Sequence, residues 1–185
     1  MANRDDVKLG KKILLDGQPY EVTKAEHVKQ ARGAGMERCT IKNLLTGKVI
    51  PKTFRESDVV EEANVVYYSS EYTYQDGEGY HFMNRETYED IVISAENIGD
   101  SKYFLVEGAN VKVMEWNGNP VNIELPPSVA LRVDQTPPGE KGNSVNNNLK
   151  PATLETGLEI KIPLFIDQDE MILVDTRTNS YLSKA

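Results

Sequence analysis

With 185 residues, 39% of them hydrophobic, and a mean hydropathy of -0.50, the chain has the composition of one or two globular domains. It holds no apolar run near the ~18 residues that span a bilayer, no apolar centre in the opening Met1–Asp6, and one cysteine, Cys39, which admits no internal disulfide. These features argue against a membrane-spanning helix and an internal disulfide, and together they point to a reducing cytoplasm. The formal net charge of -8 argues against nucleic acid until it is divided along the chain. Residues 1–64 carry twelve Lys/Arg against ten Asp/Glu, residues 65–126 three against eleven, and residues 127–185 six against eight. Within Lys24–Arg55, eight cations face two acids. At a Debye length of about 8 Å, such a local patch acts independently of acidic surface tens of ångströms away. A basic face and an ordinary solvated ribbon with polar flanks both remain open here.

In chain order, Ile13-Leu14-Leu15, the turn Asp16-Gly17, and Tyr20-Glu21-Val22 predict a hairpin. A second hairpin follows, with Tyr20 to Val28 and Cys39 to Leu45 as its arms and Gln30-Ala31-Arg32-Gly33-Ala34-Gly35-Met36 between them. Gly33 and Gly35 tolerate positive φ and a close backbone approach. The guanidinium of Arg32 suits phosphate, because its planar fork donates two parallel hydrogen bonds. On these seven residues alone, an arginine that is merely solvated is the simpler reading. Ile41–Leu45, Thr46-Gly47 and Val49-Ile50 form a further hairpin, and Thr53-Phe54 ends a first small barrel.

From Val65 a second cluster begins. Tyr67, Tyr68, Tyr72, Tyr74, Tyr80 and Phe82 crowd it, either as a stacking platform for bases or as core and seam; the lack of a cation before Arg85 favours core. Asn84 is positioned to cap a short helix in the ambiguous stretch Glu86–Ile98. Val111–Trp116, Asn117-Gly118 and Val121–Leu125 predict a tight hairpin, and Pro126-Pro127 marks a boundary. The third cluster opens with Val129–Val133. Gly139–Lys150, almost without apolar content, reads as a long mobile loop. Leu158–Ile166 is a strand with Pro163 inside it, hence an edge or a bulge. Met171–Val174 and Tyr181-Leu182 flank the last turn. Gly108–Val113 echoes Gly157–Ile162, which hints at a topology shared by the second and third clusters. The reading is all-β, with three modules at 1–64, 65–127 and 128–185. Modules of this size are marginal alone, so neighbours should share an interface.

Chemistry is sparse. His27, His81 and Cys39 show no zinc-ligand spacing. No phosphate-binding loop, dinucleotide fingerprint or nucleophile elbow is present. Each histidine reads as structural or superficial, and the chain reads as a binding protein without a metal or a catalytic group. One candidate is a free-standing binder of single-stranded nucleic acid.

Lys150-Pro151-Ala152-Thr153-Leu154-Glu155-Thr156-Gly157, continuing through Pro163-Leu164-Phe165-Ile166, is similar to the signature of the bacterial elongation factor P family. So are Val174–Thr178, Leu44–Gly47, Lys52-Thr53-Phe54, Phe82-Met83, Trp116-Asn117-Gly118 and Thr136–Gly139. The resemblance covers essentially the whole chain. It implies an N-terminal SH3-like (KOW-like) barrel followed by two OB-fold barrels, in an L-shaped, tRNA-like outline. It implies a monomeric factor on the 70S ribosome between the P and E sites, relieving stalls at consecutive prolines by positioning the P-site peptidyl-tRNA. Ribosomal RNA and a protein of the L1 stalk are the further implied partners. The resemblance puts Arg32 at the functional tip, within Gln30, Ala31, Gly33, Ala34 and Gly35, with Lys29, Arg38 and Lys42 as the RNA-facing basic patch. No cofactor is implied. The lysine branch of the family reads Pro-Gly-Lys-Gly where this chain reads Gln30-Ala31-Arg32-Gly33, so lysylation is excluded. Rhamnosylation of Arg32 by an arginine-modifying glycosyltransferase is left open, as is the family's arginine-bearing paralogue.

Overall fold

The computed structural model describes residues 7–28, 35–55, 57–139 and 148–185. It is built almost wholly of short strands, grouped in chain order into three five-stranded sheets. The first contains β1 (Lys12–Leu15), β2 (Gln18–Val28), β3 (Met36–Asn43), β4 (Val49–Arg55) and β5 (Glu61–Glu62), in the order β4-β3-β2-β1-β5. The second contains β6 (Val65–Gln75), β7 (Tyr80–Asn84), β8 (Asp90–Ile93), β9 (Asn110–Trp116) and β10 (Asn119–Glu124), in the order β10-β9-β6-β7-β8. The third contains β11 (Ser128–Gln135), β12 (Leu149–Leu154), β13 (Glu159–Pro163), β14 (Met171–Asp175) and β15 (Ser180–Lys184), in the order β13-β12-β11-β14-β15. The edge strands β13 and β15 approach each other and curl the third sheet toward closure. Pro163 ends β13, an edge strand, where a missing N–H breaks no ladder.

The second and third sheets share one strand order, third-second-first-fourth-fifth. The sequence echo that hinted at this pairs non-equivalent strands, however. Gly108 leads into β9, the fourth strand of its sheet, whereas Gly157 leads into β13, the third of its own. What the two segments have in common is a Gly at positive φ before a strand.

Backbone packing divides the chain into two compact units: residues 1–68 with 113–122, and residues 69–112 with 123–185. In the first unit, Val7, Ile13, Val22, Cys39, Ile41, Phe54 and Val60 form the core. In the second, Leu131, Val133, Leu154, Ile160, Ile162, Ile166, Ile172 and Val174 pack with Phe104. Phe104 comes from the 3₁₀ segment Gly99–Phe104 that precedes β9, and Tyr103 and Val106 flank it. Thr156 Oγ1 donates to Tyr103 O at 2.6 Å and secures that segment.

The Asp16-Gly17 and Asn117-Gly118 turns form as expected, with all four residues at positive φ (51°, 75°, 51°, 81°), as a two-residue type I′ turn requires. Two expectations are corrected. Asn84 does not start a helix. It ends β7, and its Oδ1 accepts from Glu86 N (2.8 Å) and Thr87 N (3.2 Å), closing a turn into β8. The β-branched run Ile91-Val92-Ile93 then prefers the pleat. The helix is the single turn Ala95–Ile98, capped by Ser94. Lys150 is not in a loop either. It lies in β12, buried, with Nζ donating to Pro137 O at 2.9 Å. Residues 140–147 of the expected loop lie outside the described residues.

The crowded aromatics divide: two are buried, Tyr67, Tyr68 and Tyr72 are half-buried, and Tyr74 is exposed. Phe82 and Tyr80 are buried, and Tyr72 packs on both at ring-centroid distances of 5.6 and 6.0 Å. Gly79 shows how tightly this sheet closes. At φ +147°, a Cβ there would stand 2.3 Å from Ile93 O. Gly79→Ala is therefore expected to destabilise the protein by about 1–3 kcal/mol, the usual cost of overpacking, read as a lowered denaturation midpoint. An unchanged midpoint contradicts the close approach.

Candidate nucleic-acid interface

Strands β2, β3 and β4 form an antiparallel ribbon in which Glu26 stands opposite Arg38 and Arg38 opposite Thr53. Nearer the barrel, Glu21 faces Lys42 and Lys42 faces Val49. At the far end, Val28 faces Met36 and Met36 faces Arg55. The register slips between Val22 and Lys24, a bulge at the last core residue of β2. Beyond it, Thr23 to His27 are exposed without alternation, so neither face of that part of β2 is covered. A bulge adds twist and re-aims the strand it interrupts. The far half of β2 thus leaves the core, while Cys39 and Phe54 at the same level of β3 and β4 stay in it.

Side chains two apart on a strand share a face. On β3, Cys39, Ile41 and Asn43 are buried, while Arg38 and Lys42 are exposed on the opposite face with Thr40 between them. Register places Lys24 and Arg55 on that outward face as well. The outward face therefore carries four cations against Glu21 and Glu26, and Lys12 Nζ already holds Glu21 at 3.3 Å. Among the described residues, no carboxylate forms an ion pair within 4 Å with the side chain of Lys24, Arg38, Lys42 or Arg55; Asp58 meets Arg55 only at its backbone N–H, 2.8 Å away. On the opposite side, His27 Nδ1 meets Glu37 Oε1 across the hairpin and ties the two arms together.

Of the residues singled out from sequence, the structure brings Arg38 and Lys42 onto one face. Gly35 is partly buried just before β3. Lys29, Gln30, Ala31, Arg32, Gly33 and Ala34 lie outside the described residues, between the paired ends Val28 and Met36. Lys24 and Arg55 were missed as members of the face. Their charge is plain in the sequence, but their side is fixed only by the bulge and the β3–β4 register. Among the described residues, no group of three His, Cys, Asp or Glu could hold a metal ion. A cationic, solvated sheet face of this kind can bind a polyanion through its phosphates.

Three family models match successive stretches of the chain: "Elongation factor P (EF-P) KOW-like domain" over residues 4–60, "Elongation factor P (EF-P) OB domain" over 66–123, and "Elongation factor P, C-terminal" over 129–184. Proteins named elongation factor P in Parasynechococcus marenigrum and Maridesulfovibrio salexigens are each 41% identical to it over 184 residues. Those matches take in 100% of this chain and 98% and 99% of the relatives. A solved structure titled eukaryotic translation initiation factor 5A, from Methanococcus jannaschii, superposes with a TM-score of 0.50 at 18% identity, covering 66% of this chain and 92% of its own. That likeness is one of fold alone.

Proposed function

The chain belongs to the elongation factor P family, and from that premise we propose that it acts in the cytoplasm as a translation elongation factor on the 70S ribosome. It sits between the P and E sites and promotes peptide-bond formation on stalling, polyproline-containing sequences. The first-module hairpin approaches the acceptor end of the P-site tRNA, Arg32 orders that end, and the ribosome performs the chemistry. The observation that carries this reading is the ribbon: its β2 arm is exposed from Thr23 to His27, and it presents Arg38, Lys42, Lys24 and Arg55 on one face. Alignment alone is a sufficient lever, since well-oriented reactants gain roughly 7–11 kcal/mol over free ones. The buried positions of Tyr80 and Phe82 offer no support to a free-standing stacking platform for single strands.

The test is a reconstituted translation reaction on a polyproline template. Added protein is expected to raise the yield of full-length product, with no effect on a template that lacks the stall. No gain at saturating protein sinks the proposal. Arg38→Gln with Lys42→Gln is expected to weaken co-sedimentation with ribosomes and to reduce the slope of log affinity against log salt by about 2, roughly one per lost phosphate contact. An unchanged slope removes these two side chains from the RNA face. Modification of Arg32 is read from the intact mass of protein taken from its native host, where a rhamnose appears as a discrete excess on the peptide containing Arg32.

A further inference from the structure

Buried Asn43 and Asn84 are occupied by the turns they close. His81 is a different case. It lies within β7 between Tyr80 and Phe82 and is 4% exposed. Its Nδ1 is 2.8 Å from Asp90 Oδ2 on β8. Its Nε2 is 3.0 Å from Asp76 Oδ1, in the turn after β6, off the line of a hydrogen bond but close enough for charge. Tyr74 of β6 covers the ring face, with centroids 4.1 Å apart and planes within 13°. Neutral imidazole carries one N–H and one lone pair. With a carboxylate oxygen at each nitrogen, only the imidazolium avoids setting a lone pair against an oxygen.

These contacts join three pieces of the central sheet. Asp76 Oδ1 also accepts from Glu78 N (2.8 Å) and Gly79 N (3.3 Å), so the aspartate that faces His81 organises its own turn. That turn presses on the end of β8, where Gly79 meets Ile93 O. β8 is an edge strand, held by β7 on one side only. The charged groups facing the ring are therefore Asp90 from β8 and Asp76 from the turn, with Glu78 next along that turn and the Tyr74 phenol above. Among the described residues, no Lys or Arg lies within 4 Å of either aspartate, which leaves His81 as their cation.

We propose that His81 is a proton-operated clasp: charged, it pins the 76–79 turn and edge strand β8 to β7; neutral, it lets that corner of the central sheet open. The hydrogen bond to Asp90 chiefly, then the nearness of Asp76, hold the imidazole above its ordinary value near 6.5 despite its burial. Asp76 is held below the ordinary carboxylate value, first by the Glu78 N–H and then by His81. The histidine's contribution is complete below about 6.5 and is lost as pH rises through its elevated folded value. The aspartate's contribution is complete above the ordinary carboxylate range and is lost as pH falls through its depressed value. The clasp is closed between those two limits.

The test uses the full chain. Proton NMR titration of the His81 ring is expected to give an ionisation above the ordinary imidazole value. Hydrogen exchange at Ile91–Ile93 and at Glu78-Gly79, corrected for intrinsic rates, is expected to lose protection with the same midpoint. The size of that loss is tenfold for each unit by which the ring's ionisation is raised. Asp90→Asn, which keeps the ring but removes its main partner, is expected to shift the midpoint down and shrink the loss, and His81→Gln to abolish the pH dependence. Titration at or below the ordinary value in the wild-type protein, or exchange at β8 that does not follow the ring's charge, overturns the proposal.

Discussion

Arg32→Ala is expected to lower polyproline rescue at least about tenfold, which corresponds to about 1.4 kcal/mol in the barrier of the slow step, while leaving the melting temperature unchanged. Loss of function without loss of fold follows from where the ribbon runs. Thr23 to His27 are already outside the core, and the seven residues between Val28 and Met36 follow them in sequence. Arg32→Lys separates charge from shape. A point charge on a flexible stem keeps the attraction for phosphate but loses the two-pronged donor geometry, so partial rescue is expected. Measured rates of Pro–Pro bond formation, with ribosome binding followed in parallel, check both variants. Full rescue by Arg32→Ala removes this side chain from the mechanism.

Phe104→Ala is expected to cost about 3–5 kcal/mol, the range for deleting a buried aromatic ring. Phe104 is 4% exposed and packs in the cluster built around Leu131, Val133 and Ile160, although it belongs to the segment leading into β9. Its loss should therefore lower the stability of residues 69–112 and 123–185 together, in one transition rather than two. Denaturant unfolding followed by far-UV circular dichroism measures the size of the effect. Hydrogen exchange in β7 and in β14 shows whether both regions lose protection. A cost below about 1 kcal/mol, or loss confined to one region, contradicts the packing described.

The legibility of the sequence was uneven for identifiable reasons. Asp-Gly and Asn-Gly turns were readable because few residues accept positive φ twice in succession. Pro163 was readable as an edge because it lacks an N–H. Asn84 was misread because the same side-chain oxygen serves a helix start and a tight turn equally well; the β-branched run after it was the better guide. Lys150 looked like loop because the run Asn146-Asn147-Asn148 before it is polar, and nothing local announces that a carbonyl, Pro137 O, waits for its ammonium. In the candidate interface, Arg38 and Lys42 could be assigned to one face from their spacing, whereas Lys24 and Arg55 needed the bulge and the cross-strand register. The weight placed on Arg32 came from family resemblance, since a seven-residue stretch of mostly Gly and Ala with one arginine reads the same with or without a task. His81 gave no sign at all, because Asp76 and Asp90 become its neighbours only once β6, β7 and β8 have paired.

The bulge after Val22 has an evolutionary corollary. Upstream of it, each substitution is judged by the interior it must fit. Downstream of it, Thr23 to His27 are exposed, so selection on that arm is relieved of most packing constraints. A lineage can therefore trial new end groups there, one codon at a time, while the domain that carries them stays intact.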